Sequence, residues 1–298
     1  MFPSGTPGER SAFPDIVVAC VQMAPQVGRK HDNVGRGLAA IERAADQGAQ
    51  LVVLPELCNT GYVFDSPEEA FSLAEDVRDG QTVQAWMDAA RRRDLVLVAG
   101  LAERDGDRLY NSAAVIGPGG LIGHYRKLHL WNEEHLFFEP GDLGLPVFDT
   151  PLGRIAPLIC YDGWFPETYR YLAQRGVDIV CMPTNWVPMP GQSDDERAMA
   201  NTLAIANAHV SAVNIACADR VGTERGQRFI GRSLIVAAGG QVLAGPASAD
   251  DEELLLARLN LASSRQASRF NAFNDALHDR RGDVYGTVHG DDWPPQCS

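Results

Sequence analysis

Cys160 is the residue of this sequence best placed to act as a nucleophile. It follows the apolar run Arg154–Ile159 and precedes Tyr161-Asp162-Gly163-Trp164-Phe165-Pro166, a strand-to-helix bend whose proline suits a first helical turn. A thiol at such a bend faces a pocket and lies near backbone N–H groups able to hold an oxyanion. A buried structural cysteine fits the same context equally well. None of the seven histidines is placed by sequence as its base. Glu56 offers an alternative, because it directly follows the apolar strand Leu51–Leu54 and Pro55. Burial there would raise its pKa and make it a usable base near neutrality. Lys127, in Tyr125-Arg126-Lys127-Leu128-His129-Leu130, also follows a strand. An ammonium near a thiol favours the thiolate and stabilises charge developing on an oxygen. Taken singly, Glu56 and Lys127 read as ordinary solvated loop charges.

Other chemistries find little support. There is no Walker loop, no G-x-G-x-x-G after a strand, no C-x-x-C and no G-x-S-x-G elbow. His124, His129 and His135 are spaced by five and six, which matches neither a helix face nor a strand face, so no metal site is expected. With 26 Lys and Arg against 39 Asp and Glu, the formal charge of −13 opposes binding to phosphate backbones or anionic membranes. No apolar run reaches the roughly 18 residues of a membrane helix. Residues 1–14 are rich in Gly, Pro and Ser and lack the apolar core of a signal peptide, so they read as a flexible extension. The six scattered cysteines then read as reduced thiols of a cytoplasmic protein.

The elements that must position these residues alternate. Strands are predicted at Ile16–Val21, Leu51–Leu54 and Leu95–Ala99, with a helix through Val34, Leu38, Ile41 and Ala45 that closes at Gly48. Helical stretches follow at Pro67–Glu75 and Thr82–Arg92. Tyr110–Ile116 and Leu121–Tyr125 flank Gly117-Pro118-Gly119-Gly120 as a hairpin. After an aromatic loop from Trp131 to Gly141, strands are expected near Leu145–Phe148 and at Arg154–Ile159. Pro157 demands a local irregularity or a position that needs no N–H. Then come helix Pro166–Arg175, strand Val177–Met182, and a helix through Met199, Leu203 and Ala206 opened by the capping box Ser193-Asp194-Asp195-Glu196. Strands Ser211–Cys217, Ser233–Ala237 and Leu254–Arg258 close the body. The segment Gly48 to Glu56 echoes Gly176 to Thr184: helix-closing glycine, short apolar strand, proline and a polar residue. The pattern argues an α/β chain of two similar halves, with helices covering mixed sheets.

Taken together, Leu54-Pro55-Glu56, Tyr125 to Leu130, and Ile159-Cys160-Tyr161-Asp162 with Pro166-Glu167 resemble the nitrilase, or carbon–nitrogen hydrolase, superfamily. The spacings match, with 71 positions from Glu56 to Lys127 and 33 more to Cys160. So do Asn59-Thr60-Gly61-Tyr62, Phe138-Glu139-Pro140-Gly141-Asp142, Asp279-Arg280-Arg281 and Tyr285-Gly286. The resemblance implies a four-layer α-β-β-α sandwich, a hydrolase domain over residues 15–270, and a tail at 271–298 in subunit contacts of a homodimer or larger homo-oligomer. It implies Cys160 as nucleophile, Glu56 as general base, Lys127 as cationic stabiliser and the Tyr161 backbone N–H in the oxyanion hole. Counting back from Glu139-Pro140-Gly141 makes Glu134 the second glutamate. No metal or organic cofactor is implied.

Tyr161-Asp162 after the nucleophile looks more like the amidase and carbamoylase branches than the Trp-Glu of nitrilases. Gly163-Trp164 stands where carbamoylases of amino acids carry paired arginines, which disfavours an anionic substrate. Tyr62, Trp131, Trp164, Asn185 and Trp186 are the candidate pocket residues, and Asp162 is expected to brace the nucleophile turn. The expected activity is hydrolysis of a small carboxamide or ureido compound with release of ammonia. Nitrile hydrolysis is the alternative, and a catalytically idle scaffold the third reading.

Overall fold

The computed structural model describes residues 15–191 and 197–285. The N-terminal extension, the Ser193–Glu196 capping box and the tail from Gly286 onward lie outside the described residues. The first half runs β1 (Ile16–Gln22), α1 (Lys30–Asp46), β2 (Leu51–Val53), α2 (Pro67–Leu73), α3 (Gln81–Arg93), β3 (Val96–Asp105), β4 (Arg108–Gly117) and β5 (Gly120–Arg126). The second runs β6 (Phe148–Thr150), β7 (Gly153–Pro157), α4 (Pro166–Gln174), β8 (Ile179–Pro183), α5 (Met199–Ser211) and β9 (Asn214–Ala218). A short ribbon, β10 (Thr223–Glu224) with β11 (Gln227–Arg228), precedes β12 (Leu234–Val236), β13 (Val242–Ala244) and β14 (Glu253–Leu259). Two four-residue helices, α6 (Leu261–Ser264) and α7 (Gly282–Tyr285), end the described chain.

Two six-stranded mixed sheets result, in the orders β14-β1-β2-β3-β4-β5 and β13-β12-β9-β8-β7-β6. Each is built on a parallel trio, β1-β2-β3 in one and β7-β8-β9 in the other. The echoing segments supply β2 and β8, the middle strand of each trio, so the two halves are alike in architecture as well as in sequence. Alternate residues of β1 explain its lack of polar positions. Val18 and Cys20 join the core shared by both sheets, while Ala19 and Val21 meet the helices α1 and α3. Strands covered on both faces have no solvent side on which to place polar residues. The layers are therefore α-β-β-α, with β1 and β2 facing β9 and β8 across the centre.

Two helices turn inward faces that differ from the expected ones, with Ile41 of α1 common to the expected and the observed face. α1 turns Asn33, Gly37, Ala40, Ile41 and Ala44 inward, leaving Val34, Leu38 and Ala45 half-buried. α5 buries Ala200, Asn201, Ala204, Asn207 and Ala208, while Met199 is exposed. In both, small residues let the helix sit close to its sheet, and such a stripe carries little hydropathy signal. Strand β9 begins at Asn214 rather than Ser211, because Ser211 completes α5 and Ala212 takes a left-handed φ of 52°. The strand expected at Leu145–Phe148 is β6, displaced toward Thr150, and β10, β11 and β13 were not anticipated. Pro157 is the last residue of β7. Pairing with β6 has already stopped at Ile155, and Leu158 makes the next bond to β8, so the missing N–H is not needed.

One close approach aims the turn after β2. Gly100 of β3 binds this turn through both backbone groups, accepting from the Cys58 N–H and donating to the Pro55 carbonyl. A Cβ there would come within 2.6 Å of the Glu56 Cα and 2.5 Å of the Pro55 oxygen. Neither backbone atom can move without shifting Glu56. Gly100→Ala should therefore cost about 1–3 kcal/mol of stability, as overpacking does. Denaturant titration checks this, and an unchanged midpoint would show that the turn has slack.

Candidate active site

The C-terminal ends of the two parallel trios meet along one edge of the sandwich. An isolated bridge joins Met23 beyond β1 to Arg220 beyond β9, and the Asn185 side-chain amide donates to the Glu56 carbonyl at 3.0 Å. Glu56 follows β2, Lys127 follows β5, and Asn185 follows β8. Cys160 lies three residues past β7, opening a short 3-10 turn to Trp164. Glu134 comes from a second 3-10 turn, Asn132–Leu136, inside the aromatic loop. Three non-glycine residues at these corners have left-handed φ: Leu57 at 47°, Asn132 at 48° and Cys160 at 47°. Such backbone persists only where its surroundings over-determine it, and it clusters at functional sites.

The ammonium of Lys127 binds two carboxylates at once. Its Nζ lies 2.6 Å from Glu56 Oε1 and 2.7 Å from Glu134 Oε1, and all three side chains are buried. The Asn111 amide donates to the same Glu56 oxygen at 2.7 Å, while Tyr62 OH donates to Glu134 Oε1 at 2.6 Å. Glu134 Oε2 accepts from the Trp131 N–H at 3.2 Å. Glu56 Oε2 is buried and has no partner among the described residues.

Burial dominates the proton affinities. It pushes Glu56 up to about 7, against the opposing pull of Lys127, with Glu134 adding to the rise. For Lys127, burial opposes the charge, but Glu134 and Glu56 outweigh it and keep the ammonium protonated. Burial also carries the Cys160 thiol well above its usual value, and the Glu56 carboxylate reinforces this while Lys127 opposes it. The thiol is thus held protonated beside a carboxyl poised near neutrality.

Asp162 fastens the nucleophile turn. One of its oxygens accepts from the Ile159 N–H at 2.9 Å and Tyr125 OH at 2.7 Å. The other accepts from the His129 N–H at 3.0 Å and faces His129 Nδ1 at 2.7 Å. All the capacity of this buried carboxylate is spent on the turn, consistent with bracing. His129 stacks on Phe165, and His124 lies 3.4 Å from Glu103, so two of the three clustered histidines have specific partners. Among the described residues no group of His, Cys, Asp and Glu could hold a metal ion.

Beside Cys160 is a cavity of about 20 Å³ walled by Trp131, Tyr161, Trp164, Asn185, Trp186, Val187 and Met189. A second cavity, of about 60 Å³, lies beyond Trp131 and Val187 and reaches Tyr62 and Glu134. The aromatic residues singled out in sequence therefore gather here, and Tyr62 has the added task of binding Glu134. Sequence reading missed Asn111. A polar Asn-Ser pair inside the otherwise apolar hairpin strand was the available signal.

The family model for carbon–nitrogen hydrolases matches residues 17–269, and the chain belongs to that family. It is 45% identical to the nitrilase of Pyrococcus abyssi, over 91% of this chain and 99% of that protein. To the N-carbamoylputrescine amidase of Arabidopsis thaliana it is 31% identical, over 91% of this chain and 94% of the other. Among solved structures, an amidase from Nesterenkonia sp. superposes with a TM-score of 0.74 at 27% identity, covering 95% of this chain and 98% of that one. In that structure the acetamide moiety of fluoroacetamide is covalently added at the active-site cysteine. The present chain is a carbon–nitrogen hydrolase with the nitrilase-type sandwich. Among its described residues, no helix is long and apolar enough to cross a membrane.

The proton affinities set a pH test that needs no substrate. Below about pH 7 Glu56 holds its own proton and cannot accept another; above it the carboxylate is free to take the Cys160 proton. Labelling of Cys160 by iodoacetamide should therefore accelerate as pH rises through about 7. In Glu56→Gln the rise should move to higher pH, toward the thiol's own range. Coincident profiles for the two proteins would remove Glu56 as the proton acceptor.

Proposed function

We propose that this protein hydrolyses small, uncharged primary carboxamides to the acid and ammonia, with Cys160 as nucleophile, Glu56 as base and Lys127 and Glu134 completing the site. The observation that carries this reading is the buried Glu56–Lys127–Glu134 chain of contacts beside a pocket-facing thiol. Glu56 takes the Cys160 proton as sulfur bonds to the carbonyl carbon. The carbonyl electron pair moves onto oxygen, where Lys127 and the Tyr161 backbone N–H are placed by this reading to receive it. The carbon–nitrogen bond then breaks, and ammonia leaves with the proton returned from Glu56. A thioester remains. Water gives its proton to Glu56 as it adds to the thioester carbon. The carbon–sulfur bond then breaks, the acid is released, and Glu56 returns the proton to the departing sulfur to restore the thiol. Two barriers of moderate height replace one high barrier, and oxyanion donors of this kind are worth about 3–4 kcal/mol each.

Two further observations support the substrate class. Among the described residues, the Cys160 cavity is walled by aromatic and aliphatic side chains with Asn185 and by no arginine or lysine, so a carboxylate on the substrate would find no cationic partner among them. Two buried acceptors, Glu56 Oε2 and Asn185 Oδ1, have no donor among the described residues, and an amide –NH2 supplies donors where a nitrile nitrogen has none. The test is ammonia release from isobutyramide, succinamic acid, an N-carbamoyl amine and isobutyronitrile, beside Cys160→Ala. Isobutyramide should be the best of the four by at least roughly tenfold, the discrimination expected when buried polar groups lose a partner. Preference for the nitrile would overturn the amide assignment, preference for succinamate the uncharged one, and silence on all four the enzyme itself in favour of a scaffold.

The same reading makes the chain a cytoplasmic homodimer with its tail, 271–298, at the subunit contact. The five described cysteines are unpaired, as a reducing compartment requires. Phe273 is 92% exposed and Phe270 54% exposed, an apolar surface suited to a partner. Light scattering at micromolar concentration should give twice the chain mass; a monomer would remove the dimer.

A further inference from the structure

The motif Asn59-Thr60-Gly61-Tyr62 takes no part in the chemistry above, yet it is held from the opposite half of the chain. We propose that Glu224, on the β10 ribbon, is a positioning residue that fixes the Glu134 carboxylate through Tyr62. The inference rests on the reading of Glu134 as part of the site.

Glu224 is buried, and four donors converge on its carboxylate. Oε1 accepts the Val27 N–H at 2.7 Å, and Oε2 accepts the N–H groups of Tyr62 and Val63 at 2.8 Å each. Arg220 Nη1 donates to Oε2 at 3.0 Å, and Arg220 Nη2 reaches the Pro25 carbonyl at 2.6 Å. The Arg220 guanidinium lies 4.0 Å from the Phe229 ring centre, and Phe229 packs edge-on against Tyr62 with centroids 5.7 Å apart. Backbone and ring of Tyr62 are therefore both gripped by one cluster.

The fit around the preceding residue is equally close. Gly61 has φ +84°, and a Cβ there would lie 2.3 Å from the Val27 nitrogen and 2.7 Å from Glu224 Oε1. Nothing larger than glycine leaves the carboxylate where it is. At the other end of the clamp, Tyr62 OH and Lys127 Nζ share Glu134 Oε1. Tyr62 is thus the strut between a structural carboxylate and the one that helps orient the Lys127 ammonium. If the 61–63 backbone drifts, the phenol leaves Glu134, and Glu134 loses the donor that holds it toward Lys127.

A double-mutant cycle separates positioning from mere folding. Tyr62→Phe and Glu224→Gln should each lower kcat for the best amide roughly ten- to hundredfold, the worth of a hydrogen bond to a charged group. KM should change little. The double mutant should be no slower than the worse single, because both changes cut one connection. Iodoacetamide labelling of Cys160 should fall in step, and it gives a readout independent of turnover. Multiplying losses, or a lower unfolding temperature for Glu224→Gln with unchanged kcat and labelling, would reduce Glu224 to a structural residue. Failure of the wild type on every amide would instead overturn the substrate reading while labelling still decides the positioning. Should Glu224→Gln not fold, Glu224→Asp takes its place in the cycle under the same criteria.

Discussion

A single buried ammonium holds the active edge of this molecule together. Lys127 offers its three N–H donors from a buried position, and two carboxylates from different loops come to it. Removing either partner would leave a buried charge poorly compensated, an expensive state in a protein interior. The pair Glu56 and Glu134 therefore cannot be understood separately: like charges this close tolerate each other only across the cation between them. Asn111 and Tyr62 then each donate to the same carboxylate oxygen that the ammonium binds. The ion cluster is a stabilising contact only in this company.

The sandwich supplies the company. Parallel strands end together, and each half of the chain contributes one parallel trio. Facing the two sheets brings the end of β2 against the end of β8, so Glu56 and Asn185 touch although they are 129 positions apart in sequence. Lys127 is delivered by the antiparallel extension β3-β4-β5 of the first sheet, and Cys160 by the second. Each sheet alone carries an incomplete set. The site exists only at their joint edge, where loops are free of ladder bonds but anchored at both ends.

Much of this was legible in the residues. A charged side chain straight after an apolar strand is a costly choice unless something meets it, and that reasoning located Glu56 and Lys127. Cys160 stood out because its strand ran into a helix-opening turn. The echo around Gly48 and Gly176 correctly marked the two middle strands. What stayed hidden involved either small residues or partners remote in sequence. Apart from Ile41, which the apolar spacing did mark, the inward faces of α1 and α5 are made of small or polar residues such as glycine, alanine and asparagine, which bury well but show weak periodicity. Glu224 gave no signal because its role is defined by backbone N–H groups some 160 positions away, and backbone groups have no sequence signature.

Under the proposed mechanism, proton arithmetic explains how a carboxylate could serve where many thiol enzymes use histidine. Above about pH 7 Glu56 is a carboxylate beside the Lys127 ammonium and the Cys160 thiol, and the cluster then has a definite net charge. Moving the proton from sulfur to Glu56 leaves that net charge unchanged. The negative charge merely shifts from one neighbour of Lys127 toward another. Desolvation, which penalises any change of total charge in a buried site, therefore contributes little to this step. The same burial that lifts Glu56 to about 7 also lifts the thiol, so the two sites compete for one proton on a shifted common scale. The thiolate need never accumulate. In the proposed mechanism it forms as the carbon–sulfur bond forms, and the negative charge passes on to an oxygen for which the ammonium and the backbone are the proposed donors.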